Sequence, residues 1–360
     1  MTKDVLLSYF LKLTHKRYRD ILEFFPSLDA FWEAPSSRLI QELKWKPELA
    51  HEFSEWKKEI DEDALERELE KDKITCIPLS HPEYPPLLKT IYDPPINIFV
   101  RGTLPQAPEL TIAVVGSRDA TSYGASVTQL LVHDLSACGV VIVSGLARGI
   151  DGLAHETTLK HRGKTIAVLG SGIASRDISP YAKRQLAEKI IESGGAVISE
   201  YPPKTPPSNF TFPARNRIIA GVSQATVVIE AAEQSGALIT AECTLEAGRE
   251  VFAVPQNITS PTSIGTNTLI QLGARLVTSA QDILDIFNIT SKQKNEATKP
   301  ELSSLNPTEA AIICLLSNDP LHIDDIIRNS ALPSTTVMGT LTRLEIQGKI
   351  KQIGGMRYTI

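Results

Sequence analysis

The feature that most constrains the fold of this chain is a series of short, strongly apolar runs between residues 110 and 255. Segments with helical periodicity separate the runs, which recur at intervals of about 25 to 30 residues. Such runs indicate strands of a parallel sheet that is buried between helices and connected by right-handed crossovers. The sequence therefore predicts an α/β fold with an extended, Rossmann-like, doubly wound and mainly parallel sheet. The predicted strands are residues 112–115, 140–143, 165–169, 196–198, 226–229 and 251–254.

The chain has 360 residues, enough for several domains, and its composition changes on both sides of the α/β region. Residues 1–75 predict a small helical domain, either of the sterile-alpha-motif or helix-hairpin-helix type or a packing module without a ligand. Residues 76–109 are rich in proline, which predicts an extended connector packed onto the α/β domain. The connector and the α/β domain together span residues 76–288, and the polar segment 289–305 predicts a linker.

The C-terminal part of the chain, residues 306–360, predicts a winged helix. Three helical segments are followed by a hairpin with Gly354 and Gly355 at its turn. The third segment, residues 334–347, would be the recognition helix, but it offers only Arg343 to a DNA groove. The residues therefore favour duplex binding and a protein-contact or regulatory role about equally.

Composition narrows the class of protein. The formal net charge of −5 argues against a surface that is basic throughout. The four cysteines are far apart and form no CxxC pair, so neither a disulfide framework nor a metal site is expected. No apolar run approaches the roughly 20 residues that cross a bilayer, and no signal-length segment begins the chain. We expect a cytoplasmic protein that has no cofactor and does not contact a membrane.

Two glycine-rich turns follow the first two predicted strands, where each strand gives way to a helix. Small residues leave the backbone N–H groups of these turns bare, and bare amides at a helix N-terminus bind phosphate oxygens. Because carboxyl ends of parallel strands share one edge of a sheet, both turns should face one ligand with several phosphates. Neither turn is a Walker A loop or a GxGxxG fingerprint. The candidate binding residues are Gly116, Ser117, Arg118, Ser144, Gly145, Ala147 and Arg148.

A third cluster, residues 210–217, adds aromatic rings beside arginines. Phe212 is expected to stack on a base, and a further helix begins at Ser235 and Gly236 with its N–H groups at the same edge. Sites for phosphates combined with stackable bases are typical of proteins that bind single-stranded nucleic acid. The candidate residues in these two segments are Phe212, Arg215, Asn216, Arg217, Ser235 and Gly236.

Four acidic or histidine residues near this edge invite a catalytic interpretation. Asp151 and His155 are four residues apart on one helix, but no nucleophile or metal set accompanies them, which favours a capping aspartate with a histidine tied to it. Glu200 and Glu230 each follow a strand, and the interpretation as anchors for Arg215, Arg217 or backbone amides is favoured over catalysis. No catalytic residue is predicted.

Motifs in one order extend over about half of the chain: GSR at 116–118, SGLARGID at 144–151, FPARNRIIAG at 212–221 and SGALITA at 235–241. In these motifs the chain resembles the DprA/Smf family of bacterial DNA-processing proteins. The resemblance implies a non-enzymatic protein that binds and protects incoming single-stranded DNA and helps to load the RecA recombinase in transformation or recombination. It also implies a homodimer formed through the Rossmann domain. The DNA pocket that it implies contains Gly116, Ser117, Arg118, Ser144, Gly145, Ala147, Arg148, Phe212, Arg215 and Asn216.

Two other functions are weighed against this one. The first is a nucleotide-binding hydrolase of the lysine-decarboxylase-like Rossmann group, which uses a PGGxGTxxE loop that this sequence lacks. Release of a base from a nucleotide, abolished by Glu230→Gln, would support it. The second is a transcription factor that acts through the winged helix, which sequence-selective duplex binding would support.

Overall fold

The computed structural model describes residues 1–105, 109–289, 306–316, 321–347 and 349–359. They belong to two compact units, Met1–Ser291 and Lys292–Ile360. Apart from its first residue, the predicted linker at 289–305 lies outside the described residues.

The described part of the first unit contains a nine-stranded sheet in the order β1-β2-β6-β5-β4-β3-β7-β8-β9. From β6 to β9 all neighbours in this order are parallel, whereas β1 and β2 pair with each other, and β2 pairs with β6, in antiparallel fashion. The predicted Rossmann-like, mainly parallel sheet is thus confirmed. The strands are Thr75–Pro78, Asn97–Gly102, Thr111–Val115, Val141–Ser144, Thr165–Leu169, Ala196–Ser199, Ala225–Val228, Glu250–Ala253 and Arg275–Leu276, numbered β1 to β9.

The sequence did not predict the outer strands β1, β2 and β9. The prolines around β1 and β2 favoured an extended connector, so these two short strands were not predicted. Ile98 and Phe99 of β2 are nevertheless fully buried. Pro78 ends β1 on the outside of the sheet, where a missing N–H costs no ladder hydrogen bond. β9 has only two residues, both exposed, so it carries no apolar signal.

Helices cover both faces of the sheet. One face is packed by α8, α9 and α14 around a buried cluster that includes Ile112 and Val227, and the other by α7, α11 and α12 around Ile98 and Val168. The bounds of the helices along the sheet are Pro86–Lys89, Ser122–Ala137, Ile150–Lys160, Arg184–Glu192, Thr211–Gly221, Gly236–Glu246, Ile264–Gln271 and Ala280–Ile286, numbered α7 to α14.

Six short helices precede the sheet and surround an aromatic core of their own, with Phe53 at its centre. They are joined to β2: the rings of Tyr9 and Phe99 lie 5.8 Å apart, and the Asn97 side chain donates to the carbonyl oxygen of Asp4 at 2.7 Å. These helices are Lys3–Leu7, His15–Phe24, Leu28–Trp32, Ser36–Glu42, Pro47–Glu59 and Glu62–Lys71, numbered α1 to α6.

The second unit is a winged helix, as predicted. Asn306 and Glu309 form a capping box at the start of its first helix, and the recognition helix packs Val337 and Leu341 inward. Arg343 pairs with the buried Glu309 at 3.5 Å, so the predicted groove cation already has a counter-charge. A strand before the second helix joins the hairpin, which the sequence did not predict. The elements are α15 Pro307–Leu315, β10 Leu321–His322, α16 Ile323–Ser330, α17 Ser334–Ile346, β11 Lys351–Gln352 and β12 Arg357–Thr359.

Candidate nucleic-acid interface

An open cleft of about 570 Å³ lies at the carboxyl edge of the sheet, bordered by the first turns of α11 and α12. This is the position at which ligands bind to doubly wound sheets. Ser144, Gly145, Arg148 and Arg217 do not line it. The predicted residues that do line it are Gly116, Ser117, Arg118, Ala147, Phe212, Arg215, Asn216, Ser235 and Gly236.

The two glycine-rich turns touch each other at Gly149. This residue has φ +71° and ψ −131°, a conformation that residues with a Cβ atom rarely adopt. A Cβ atom there would lie 2.6 Å from the carbonyl carbon of Arg118 and would collide with the carbonyl oxygen of Ser117. The N–H of Ile150 donates to the same Ser117 oxygen at 3.1 Å. Gly149 therefore allows the two turns to form one continuous surface.

Two buried charged residues, Arg215 and Asp151, shape the second turn from below. Arg215 is only 5% exposed, and it donates to the carbonyl oxygens of Gly145, at 2.6 Å, and Val168. Asp151 accepts the N–H of Gly145 at 3.1 Å. Burial lowers the pKa of Arg215 to about 10 despite the nearby Asp151 charge, and it raises the pKa of Asp151 despite Arg215 and the loop amides. Arg215 stays charged at neutral pH, but its guanidinium group donates to backbone carbonyl oxygens of the protein itself.

The predicted tie between Asp151 and His155 is wrong. The Nδ1 atom of His155 lies 2.7 Å from Oγ1 of Thr165, which itself donates to the carbonyl oxygen of Ile142. Nδ1 is therefore the donor, and burial lowers the pKa of His155 to about 3, so the ring is neutral. Helix α9 packs on the sheet, so His155 faces β5 whereas Asp151, in the first turn, faces the preceding loop.

Arg118 is the exposed cation of the cleft. Its guanidinium carbon lies 5.9 Å from the centre of the Phe212 ring. Within the residues that the structure describes, no carboxylate forms an ion pair with it. Arg148 is also exposed, but it pairs with Asp119 at 3.2 Å, a solvent-screened contact of little strength. Arg118 thus offers a positive charge beside an aromatic ring in an open cleft.

Polar side chains hold the rim of the cleft together. Asn216 donates to the carbonyl oxygen of Gly236 at 3.0 Å and accepts from Arg215, which links the second turn of α11 to the first residue of α12. Ser235 caps α12 by accepting the N–H of Ala237. Ser144 is fully buried and donates to Val114, so it supports the second turn from inside.

Comparison with known proteins shows the family to which this chain belongs. A family model described as DNA recombination-mediator protein A matches residues 75–288, and a DprA winged helix domain matches residues 296–356. The chain belongs to the DprA family. Protein Smf of Escherichia coli is 38% identical over 292 residues, which cover 80% of this chain and 78% of that protein.

Solved DprA structures resemble this one. The X-ray structure of DprA from Streptococcus pneumoniae matches with a TM-score of 0.68 at 36% identity, covering 79% of this chain and 98% of that one. DprA from Helicobacter pylori, whose structure concerns its single-stranded DNA binding mode, matches with a TM-score of 0.53 at 26% identity. That match covers 60% of this chain and 96% of the other.

In this DprA family member, Glu200 and Glu230 are anchors, as predicted. Glu200 and Asp93 pair with Arg217 at 2.6 and 3.3 Å, and these carboxylates raise the pKa of Arg217. Glu230 is fully buried and accepts the N–H of Thr121 at 3.0 Å and the hydroxyl of the same residue. Both carboxylates are therefore committed to structural partners, which gives no support to the hydrolase alternative.

Two features of this DprA chain fall outside the predicted set. Phe210 is 86% exposed just before α11, and Tyr181 is 76% exposed in the loop after β5. The alternation of aromatic residues in FTFP was a signal for Phe210, whereas nothing near Tyr181 distinguished it from other loop residues. Within the described ranges, no group of three or more His, Cys, Asp or Glu could hold a metal ion, and no helix is long and apolar enough to cross a membrane.

Proposed function

We propose that this protein binds single-stranded DNA in the cleft without base preference, protects it, and acts without catalysis. The observation that carries the proposal is the exposed Arg118 beside Phe212, in one open cleft that is lined by Gly116 and Ser117 of the first turn and Ala147 of the second. Amides and cations recognise phosphates and an aromatic ring recognises the face of any base, so the combination fits single strands of any sequence. The single-stranded DNA binding of the Helicobacter pylori relative supports it.

Arg118 is the residue whose removal tests this proposal. In Arg118→Ala, binding of a labelled oligothymidine should weaken about tenfold, because a charge-assisted contact to a phosphate is lost. The slope of log affinity against log salt should become shallower by about 0.7, the value for one phosphate contact on a single strand. Fluorescence anisotropy over a salt series, with duplex DNA as competitor, measures both quantities.

Arg162 supplies the matched control, because it is an exposed arginine at the opposite end of α9, next to the amino edge of the sheet. Arg162→Ala should bind as the wild type does. Equal binding by Arg118→Ala and the wild type would remove the site from the cleft. If the wild type does not bind at low salt, or duplex DNA competes fully, the proposal fails. Arg215 is left intact here because its loss would disturb the second turn itself.

Family membership supports a finer role. We infer a cytoplasmic homodimer, formed through the Rossmann domain, that helps to load RecA in transformation or recombination. With protein-coated single-stranded DNA, the lag before RecA filaments grow should shorten, and an unchanged lag would contradict the loading role. A monomeric mass in light scattering would contradict the dimer. The pairing of Arg343 with Glu309 favours a protein-contact role for the winged helix over duplex binding.

A further inference from the structure

The loop after β5 carries an exposed aromatic ring that the cleft does not use. Tyr181 is 76% exposed, and the guanidinium carbon of Arg184 lies 4.3 Å from the centre of its ring. Arg184 is itself held by the carbonyl oxygens of Ile178, at 3.4 Å, and Arg176. Among the described residues, no carboxylate forms an ion pair with Arg184. The ring and the cation thus form a preorganised, uncompensated pair that is open to solvent.

This pair lies on the same edge of the sheet as the cleft. β5 is the parallel neighbour of β4, so the loops that follow these strands are adjacent. The side chain of Lys183, in the loop after β5, lies over the first turn of α9, which follows β4. A Cβ atom at Gly152 in that turn would lie 2.9 Å from Lys183 Cε and 3.2 Å from the carbonyl oxygen of Ala147. Since Ala147 lines the cleft, the Lys183 side chain lies close to the border of the cleft, two residues after Tyr181 in the chain.

We propose that Tyr181 and Arg184 form a second stacking platform, which binds a base of the same DNA strand after the strand leaves the cleft past Arg148. This inference rests on the proposed function. A flat ring with an adjacent cation binds an unpaired base whatever its identity, whereas a duplex keeps its bases stacked internally. Beside this path Arg148 pairs with Asp119 at 3.2 Å and Lys183 pairs with Glu156 at 3.0 Å. Both carboxylates are exposed, so phosphates between the two sites can compete with them for the two cations.

Oligonucleotides of two lengths distinguish binding at the platform from binding in the cleft. An oligothymidine of about 6 nucleotides should fill the cleft, and one of about 20 should also reach the platform. Tyr181→Ala should bind the longer oligonucleotide about tenfold more weakly and the shorter one as the wild type does, because only the longer one loses a stacked base. Tyr181→Phe keeps the ring and should bind both as the wild type does. Fluorescence anisotropy at one salt concentration measures all six affinities, those of the wild type and the two variants for each oligonucleotide.

Tyr92 provides the control for loss of an exposed tyrosine, since it is 95% exposed in the segment before β2. Tyr92→Ala should bind both oligonucleotides normally. Light-induced crosslinking of a 5-iodouracil oligonucleotide should label Tyr181 with the longer DNA only. If the wild type binds but Tyr181→Ala matches it at both lengths, or weakens both equally, the platform is refuted and the proposed function stands. If the wild type binds neither oligonucleotide, the proposed function fails and the platform fails with it.

Discussion

Asp151→Ala is expected to lower the free energy of unfolding by about 3–5 kcal/mol, the cost of leaving the buried Arg215 guanidinium without its compensating charge. Arg215 would remain buried without a counter-charge, and the N–H of Gly145 would lose its acceptor. Urea denaturation followed by far-UV circular dichroism measures the loss. Tryptophan fluorescence is unsuitable because Trp32, Trp45 and Trp56 all lie among the N-terminal helices.

A second substitution distinguishes the unpaired charge from simple loss of packing. In Asp151→Ala/Arg215→Met, the buried charge is absent, so part of the lost stability should return. Asp119→Ala is the matched surface control, because Asp119 pairs with Arg148 in solvent and should change stability little. A double variant as unstable as the sum of the two single variants would contradict the explanation by an uncompensated buried charge.

Gly149→Ala is expected to cost roughly 3 kcal/mol of stability and to weaken single-stranded DNA binding about 100-fold or more. The alanine Cβ would collide with the backbone of Ser117 and Arg118, so the two turns must separate. The larger loss in binding follows because the first turn then presents its amides and Arg118 in the wrong positions. Anisotropy with oligothymidine gives the affinity, and hydrogen exchange of residues 116–118 reports the movement of the first turn.

Gly139→Ala separates backbone strain from collision. Gly139 has a similar φ of +78°, but a Cβ atom there would meet nothing within 4 Å. It should lose about 1–2 kcal/mol of stability through its backbone conformation alone and bind DNA normally. Normal binding by Gly149→Ala would contradict the view that contact between the turns creates the site.

The sequence predicted the central fold because each inner strand is buried on both faces of the sheet. A strand buried in this way needs apolar side chains at nearly every position, which gives a continuous apolar run in the sequence. The six predicted strands match β3 to β8, and every predicted end lies within one residue of the observed one. β2 escaped prediction although it is buried, since prolines on its N-terminal side obscured the pattern. The cleft was predictable for a related reason: parallel strands place their carboxyl ends on one edge, so two glycine-rich turns had to meet there.

The sequence by itself determined the class of fold, the edge at which the cleft lies, and the family, because these depend on local patterns and ordered motifs. The tertiary structure alone decided which charges are available. Arg217 meets Asp93 across 124 positions of sequence, and Arg215 meets Gly145 across 70. Local sequence shows three similar arginines in Arg118, Arg215 and Arg217, whereas folding buries or neutralises two of them and leaves the third exposed beside Phe212. The physical reason is that the availability of a charge depends on desolvation and on partners brought together from distant parts of the chain.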